Sequence, residues 1–165
     1  MRKFRLILYA ILLPLLLVFL YFVGVIGYAM VTDYQPEPQT PLTLYSEGSK
    51  TVASDTLAFI SWNIGYAGLG AESDFFFVFG KTVRMPKPVV EKNLAGIENL
   101  LKEWRDQVDG FLLQEVDRSS KRSWELDEFA RIQSLLPGFS SAFAVNYQVG
   151  YVPVPFVEPM GKVKG

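Results

Sequence analysis

The stretch that decides the fold is FLLQEVD at residues 111–117, which follows Asp109-Gly110. Its first part is a continuous apolar run, which is typical of a strand buried in the middle of a sheet. The run ends in an amide and a carboxylate, Gln114 and Glu115. A strand of this kind carries its last side chains to the rim of a sheet, where loops gather and ligands bind. We therefore expect Glu115 to lie at such a rim.

A second apolar segment, LAFISW at residues 57–62, is followed in the same way by Asn63. One amide and one carboxylate at the ends of two rigid strands predict a site for a divalent metal ion and a phosphate group. Each residue alone has a commoner role. Glu115 could form a surface ion pair with Arg118 or Arg122, and Asn63 could be a turn residue. Their joint placement favours the site.

The composition excludes several kinds of chemistry. The 165 residues contain no cysteine and no histidine. Disulfides, thiolate nucleophiles, the usual general base and the commonest zinc ligand are therefore excluded for this chain. The net charge is −1, although the first five residues are strongly basic. The remainder is acidic overall, which counts against a general nucleic-acid-binding face.

A transmembrane helix is predicted at residues 6–31, a segment without any charged residue. As a helix with ~1.5 Å rise per residue it would extend about 39 Å, which exceeds the ~30 Å hydrocarbon core of a bilayer. The basic residues at 1–5 predict a cytoplasmic amino terminus and a single-pass protein with an extracytoplasmic domain. A cleaved signal peptide is the alternative, but no convincing Ala-x-Ala site follows the apolar run.

A linker is predicted at residues 32–55, where three prolines stiffen the chain and a short strand near 41–45 fits the composition. The globular domain is expected at residues 56–165. Within it, the glycine-rich residues 65–70 lack the Gly-Lys-Ser/Thr ending of a Walker loop and are interpreted as a turn. The hydrophobic insert FFFVF at 75–79 is interpreted as packed, with a lid or a membrane-surface contact as alternatives.

Two amphipathic helices are predicted around the central strand. The first runs from Pro88 to about residues 105–107, because apolar residues recur at helical spacing at Val90, Leu94, Ile97, Leu101 and Trp104. The second covers residues 124–136, and the basic segment 118–123 before it is interpreted as a solvated charge run. A third strand is expected at 140–147. Alternating strands and helices predict an α/β layered architecture.

After Tyr147, residues 151–161 are rich in proline and are expected to form an extended rim loop. The chain then stops at Gly165 without an expected closing element. We therefore expect these residues to be the amino-terminal part of a longer protein.

Two motifs, SWNIG at residues 61–65 and LQEVD at 113–117, together resemble the opening of the endonuclease/exonuclease/phosphatase superfamily. That fold is shared by pancreatic deoxyribonuclease, neutral sphingomyelinases and inositol-polyphosphate phosphatases. Residues 142–147 resemble the family's next strand, and residues 159–161 resemble its approach to the following one. The resemblance covers about residues 56–165.

The resemblance implies a four-layer α/β sandwich, here partial, and phosphoester hydrolysis assisted by Mg²⁺, with Mn²⁺ as an alternative ion. It implies that Glu115 binds the metal, that Asn63 binds or positions metal and phosphate, and that Tyr147 contacts phosphate. Taken alone, Tyr147 would be assigned to packing. The implied substrate is a phospholipid, a nucleotide or nucleic acid, or a sugar phosphate. The membrane is the other predicted partner, and no protein partner is inferred.

The chain departs from the family's pattern in one large respect. The family's later motifs supply a histidine with a partner aspartate, an aspartate–asparagine pair and a final aspartate–histidine. None of these motifs occurs in the 165 residues. Hydrolysis is therefore expected of the longer parent protein, and this chain alone is expected to be inactive. The alternative is a noncatalytic, membrane-tethered binding module with the same fold.

Overall fold

The computed structural model of the chain describes residues 2–49, 55–74, 76 and 79–165. The chain divides into two compact units, Met1–Asp33 and Tyr34–Gly165, and each is described by itself. Part of the predicted linker, at 50–54, lies outside the described residues, as do residues 75, 77 and 78 of the predicted hydrophobic insert.

The first unit contains one long helix, α1, at Arg2–Val31, with Pro14 in its interior. None of its described side chains is buried within the protein. By length and composition α1 can cross a membrane, although a signal sequence passes the same test. The helix contains the whole segment predicted to span and begins earlier, at the basic residues. A membrane-spanning candidate is therefore established, whereas its retention and its orientation stay predictions.

The second unit mixes helices with small sheets, which confirms the mixed character of the predicted fold. Its elements in chain order are β1 (Leu44–Ser46), β2 (Phe59–Asn63), α2 (Lys87–Trp104), β3 (Gly110–Gln114), α3 (Glu128–Leu135), β4 (Ser141–Ala142), β5 (Gln148–Val152) and β6 (Gly161–Lys164). β2 pairs with β3 in parallel, whereas β1 with β4 and β5 with β6 pair antiparallel. The arrangement of these elements into four layers stays a prediction.

The parallel pair β2–β3 positions the candidate site. Its register runs from Phe59 opposite Gly110 to Asn63 opposite Gln114 without a bulge. Parallel strands need a long crossover between them, and α2 lies in that connection. Because both strands end at the same level, the residues that follow them emerge at one rim.

The core lies on one face of α2, where Val90, Leu94, Ile97 and Leu101 are buried. Their spacing is the helical period that the sequence predicts. The indole of Trp104, expected on this same face, is instead 44% exposed at the last position of the helix. On the amino-terminal side, the proline in the first turn lacks the N–H that would have no partner there.

The predicted start of the second helix is wrong. In the structure, a 3₁₀ turn at Lys121–Ser123 precedes α3, and Trp124 and Glu125 adopt left-handed φ angles of 59° and 60°. The helix begins only after Asp127, whose Oδ1 accepts a hydrogen bond of 2.9 Å from the backbone N–H of Ala130. This carboxylate satisfies an N–H that the helix itself cannot pair. The expected inward residues Phe129 and Ile132 are buried.

The predicted strand at 140–147 is much shorter in the structure, where β4 comprises two residues paired with β1. Most of the segment expected to be a rim loop, residues 153–160, contains no helix or strand, but it connects two strands that were not expected, β5 and β6, which pair with each other. Gln148 lies opposite Lys164, and Val163 is fully buried in this hairpin. Burial of the Val163 side chain is the apolar gain that orders the segment.

Candidate metal and phosphate site

Asn63 and Glu115 meet at the rim of the parallel sheet. Asn63 is the last residue of β2, and Glu115 follows the last residue of β3. The Asn63 side-chain Nδ2 donates a hydrogen bond of 2.9 Å to Glu115 Oε1. The two residues singled out by the sequence are therefore in direct contact, although they are 52 positions apart.

Two hydrogen bonds define the orientation of the Asn63 amide. While Nδ2 donates to Glu115, Oδ1 accepts a hydrogen bond of 2.9 Å from the backbone N–H of Gly65. The second bond is the turn role that asparagine commonly takes. The turn and the contact with Glu115 therefore coexist. The amide keeps one further donor hydrogen on Nδ2 and one further lone pair on Oδ1 for a ligand.

The arginines that could have formed a surface ion pair with Glu115 are engaged elsewhere. Arg118 pairs with Asp127 at 3.4 Å, and Arg122 pairs with Asp117 at 2.9 Å. The Glu115 side chain is exposed, and among the described residues its hydrogen-bonded partner is Asn63. The structure therefore does not support the interpretation of Glu115 as an ordinary member of a surface ion pair.

Left-handed backbone is concentrated on both sides of the rim. Gly65, Tyr66 and Ala67 have φ angles of 55°, 42° and 51°, and Glu115 has a φ angle of 54°. Glycine adopts this conformation freely, whereas each residue with a Cβ carries a cost of roughly 1–3 kcal/mol. Such residues persist only where their surroundings enforce them, and they cluster at functional sites.

Backbone hydrogen bonds extend the sheet past the ends of its strands. The N–H of Ile64 donates to the carbonyl of Gln114 at 3.0 Å, and the N–H of Tyr66 donates to the carbonyl of Glu115 at 2.8 Å. The loop after β2 is thereby fastened to the loop after β3. Glu115 is consequently held through its backbone as well as through its side chain.

Three buried or partly buried side chains lie beside this rim and contact one another: Tyr66, Asp117 and Arg122. We name them the Arg122 cluster. The guanidinium of Arg122 donates to both carboxylate oxygens of Asp117, at 3.0 and 2.9 Å. It also lies 3.8 Å from the centroid of the Tyr66 ring. Asp117 is fully buried. Sequence reasoning missed this cluster, because it assigned Arg122 to a solvated run and Tyr66 to a turn.

Burial dominates the electrostatics of this region. It raises the pKa of Tyr66 to about 12, against the opposing effect of Arg122. For Arg122, burial is the largest single effect and acts to lower the pKa, but the hydrogen bonds to Asp117 together with the negative charges of Asp117, Tyr66 and Glu115 raise it overall. The guanidinium therefore stays charged. For Glu128, burial raises the carboxyl pKa to about 8, although its Oε2 accepts a hydrogen bond from the Asp117 N–H.

The donor set at the rim fits magnesium. Mg²⁺ prefers hard oxygen ligands and is typically held by one or two carboxylates, with water and substrate phosphate filling the remaining positions. Glu115 offers a carboxylate, and Asn63 Oδ1 has a second lone pair beyond its bond to Gly65. Among the described residues, no three acidic side chains group closely enough to enclose a metal ion. The pair therefore suits an open site and not a closed one.

A cavity of about 880 Å³ adjoins the rim, and Asn63, Gln114 and Glu115 contribute to its lining. Its apolar lining includes Phe111 and Leu113 of β3. The volume falls within the range of small-molecule sites, roughly 300–1,000 Å³.

The structure does not bring Tyr147 to this cavity. As far as the described residues define it, the lining includes Asn146 and not Tyr147. The backbone of Tyr147 exchanges two hydrogen bonds of 2.9 Å with Gly165, and its side chain is half exposed. Its contact with phosphate stays a prediction.

Comparison of the chain with protein-family models, curated proteins and solved structures finds no match. The resemblance to the endonuclease/exonuclease/phosphatase superfamily therefore rests on the motifs at residues 61–65 and 113–117 alone. These motifs contain the two side chains that meet at the rim.

Proposed function

We propose that this chain is part of a membrane-anchored, Mg²⁺-dependent phosphoester hydrolase of the endonuclease/exonuclease/phosphatase superfamily. The observation that carries the proposal is the 2.9 Å hydrogen bond between Asn63 Nδ2 and Glu115 Oε1 at the ends of neighbouring parallel strands. The same two residues carry the motif resemblance. The motif resemblance and the contact between the two side chains thus support the proposal at the same pair of residues.

In this proposal Glu115 is the carboxylate that holds the metal ion, and Asn63 orients it. The second lone pair of Asn63 Oδ1 would be available to the metal or to a metal-bound water, while its Nδ2 restrains the carboxylate. When bound, Mg²⁺ neutralises negative charge on the phosphoryl group during in-line attack by water. The protein's contribution at this rim is binding and orientation. Tyr147 is retained as a candidate phosphate contact.

The four-layer sandwich is part of the proposal. Helix α2 covers one face of the β2–β3 pair with Val90 and Leu94. On the other face, the large apolar side chains of Phe59 and Leu112 are 53% and 56% exposed. An apolar sheet face of this kind is stabilised when a second sheet covers it. That second layer is what the superfamily's fold supplies.

Turnover is proposed for the parent protein and not for these 165 residues alone. The sequence contains no histidine, which is the most frequent general base, and in this proposal the superfamily's histidine would be supplied by the parent protein. The predicted membrane anchor and the net negative charge of the remaining chain favour a substrate at or near a membrane surface over duplex DNA. Phospholipids, nucleotides and sugar phosphates are the substrate classes to be compared.

The test is hydrolysis by the full-length parent protein in detergent, with one substrate from each class and a Mg²⁺ titration. Replacing Glu115 by Gln keeps the size of the side chain but removes its charge. We expect hydrolysis to fall by orders of magnitude and to recover partly at high Mg²⁺, because concentration offsets weakened binding. The matched control is Glu103→Gln, an exposed acid on α2.

Two outcomes would count against the proposal. If Glu115→Gln and Glu103→Gln hydrolyse substrate at the same rate, Glu115 is an ordinary surface acid. If the parent protein hydrolyses none of the substrates at any Mg²⁺ concentration, the noncatalytic binding module is the better description.

A further inference from the structure

The Arg122 cluster closes a ring of contacts around the backbone of Glu115. The N–H of Tyr66 donates to the Glu115 carbonyl at 2.8 Å, and the Tyr66 ring lies under the Arg122 guanidinium. Arg122 in turn donates twice to Asp117. Asp117 is only two residues after Glu115, so the chain itself completes the ring.

We propose that Tyr66, Arg122 and Asp117 are positioning residues that hold Glu115 in its metal-binding conformation. This inference rests on the proposed function, because it takes Glu115 as the metal carboxylate. It adds a reason why that carboxylate stays in place. None of the three residues needs to touch the metal or the substrate.

Glu115 needs such support because its own conformation is unfavourable. A φ of 54° in a residue with a Cβ is maintained only where surrounding contacts enforce it. The side chain of Glu115 is exposed, whereas Val116 and Asp117 immediately after it are buried. The enforcement therefore comes from the buried side of the chain, where the Arg122 cluster lies.

The contacts of the Arg122 cluster restrain the relative positions of the residues that they join. A two-point arginine–carboxylate pair fixes direction as well as distance, and the Asp117 carboxylate in it is fully buried. Removing either partner leaves a buried charge without compensation. The cation–aromatic contact with Tyr66 then fixes the guanidinium plane over the loop that follows β2.

Lysine cannot replace arginine at position 122 without losing part of the contacts with Asp117 and Tyr66. Lysine keeps the charge of Arg122 but has neither the planar fork nor the flat face that covers an aromatic ring. Loss of outer partners of a metal ligand typically weakens metal affinity by roughly tenfold to a hundredfold. We expect Arg122→Lys to weaken metal binding within that range.

The matched control for that substitution is Arg131→Lys. Arg131 also pairs with a glutamate, donating from Nε to Glu98 Oε1 at 2.7 Å. This pair joins α3 to α2, and within the described part of the chain its hydrogen bond and ion pair involve neither Tyr66 nor Glu115. Arg131→Lys therefore measures the general cost of the same chemical change.

Tyr66 supplies a second, independent pair of variants. The Tyr66 hydroxyl is buried and has no hydrogen-bond partner within the described part of the chain, so the ring carries the contact with Arg122. Tyr66→Leu removes the ring and is expected to weaken metal binding roughly tenfold or more. Tyr66→Phe keeps the aromatic ring and is expected to bind the metal with the affinity of the wild type.

The experiment is a Mn²⁺ titration of the full-length protein in detergent, followed by electron paramagnetic resonance, with the thermal midpoint of each variant recorded alongside. Support requires that Arg122→Lys and Tyr66→Leu bind Mn²⁺ more weakly than Arg131→Lys and Tyr66→Phe. The inference is overturned if Arg122→Lys matches Arg131→Lys and Tyr66→Leu matches Tyr66→Phe. If Arg122→Lys does not fold, the two Tyr66 variants decide the question.

Glu115→Gln in the same titration separates this inference from the proposed function. If Glu115→Gln loses Mn²⁺ but the Arg122 and Tyr66 variants behave like their controls, only the positioning role fails. If Glu115→Gln binds Mn²⁺ like the wild type, the metal site and the positioning role fail together.

Discussion

The carboxylate of Glu128 accepts a hydrogen bond of 2.9 Å from the backbone N–H of Asp117 while its own side chain is fully buried. Its second oxygen, Oε1, has no hydrogen-bond partner among the described residues. Glu128 is thus the first residue of α3 and also an anchor for the segment that follows Glu115. This arrangement makes the stability of the fold sensitive to pH.

Stability is predicted to fall as pH rises from about 5 to 8. Burial raises the folded-state pKa of Glu128 to about 8, from an ordinary value of 4.5. Between these values the folded protein keeps a proton that the unfolded chain releases. The unfolding free energy therefore declines by up to about 1.4 kcal/mol per pH unit. Thermal midpoints measured at pH 5, 6, 7 and 8 test this.

Glu128→Gln is predicted to abolish the part of the pH dependence of stability that comes from Glu128, because glutamine does not titrate. Its side-chain carbonyl can still accept the hydrogen bond from the Asp117 N–H. Glu103→Gln, an exposed acid, should retain the wild-type trend. A Glu128→Gln variant with the same pH slope as the wild type would show that Glu128 is not the group responsible.

The cap of α3 gives a prediction about stability alone. Asp127 Oδ1 accepts from the Ala130 N–H at 2.9 Å, so Asp127→Ala should lower the unfolding free energy by about 1 kcal/mol. Asp127→Asn keeps an acceptor at the cap and should cost much less, since the accompanying Arg118 pair is long at 3.4 Å. Denaturant unfolding followed by tryptophan fluorescence measures both variants. Equal losses in the two variants would assign the effect to the ion pair.

The predicted topology can be tested without a structure. The basic residues before the apolar part of α1 predict that the chain after Val31 lies outside the cytoplasm. A reporter enzyme that is active only after export, fused after Gly165, should be active. Activity instead from a reporter that works only in the cytoplasm would show the opposite orientation.

Sequence patterns predicted the two strands and the polar residues at their ends because that information is local, whereas their parallel pairing is a finding of the structure. The apolar runs that form β2 and β3 lie directly before Asn63 and Glu115, and the periodicity of α2 places a crossover helix between them. The start of α3 was not predictable in this way. The indole of Trp124 donates to the Met85 carbonyl at 2.8 Å, and this contact between distant segments accompanies a left-handed residue where the pattern favoured helix.

The Arg122 cluster escaped prediction for a related reason. A basic residue in a polar run is usually solvated, and only the fold shows that Asp117 becomes fully buried and selects Arg122 as its partner. Tyr66 lies in a glycine-rich segment whose composition indicates a turn. The turn is present in the structure, but the Tyr66 ring also packs against the Arg122 guanidinium. Such long-range partners are set by packing and not by local pattern.

The central claim is that Asn63 and Glu115 form one metal site. A double-mutant cycle on Mn²⁺ affinity in the full-length protein tests it most directly, using Asn63→Ala, Glu115→Gln and the double variant. Because Asn63 acts by orienting Glu115, the double variant should bind only slightly more weakly than Glu115→Gln alone. Independent, additive losses from the two substitutions, or affinities equal to that of Glu103→Gln, would contradict the claim.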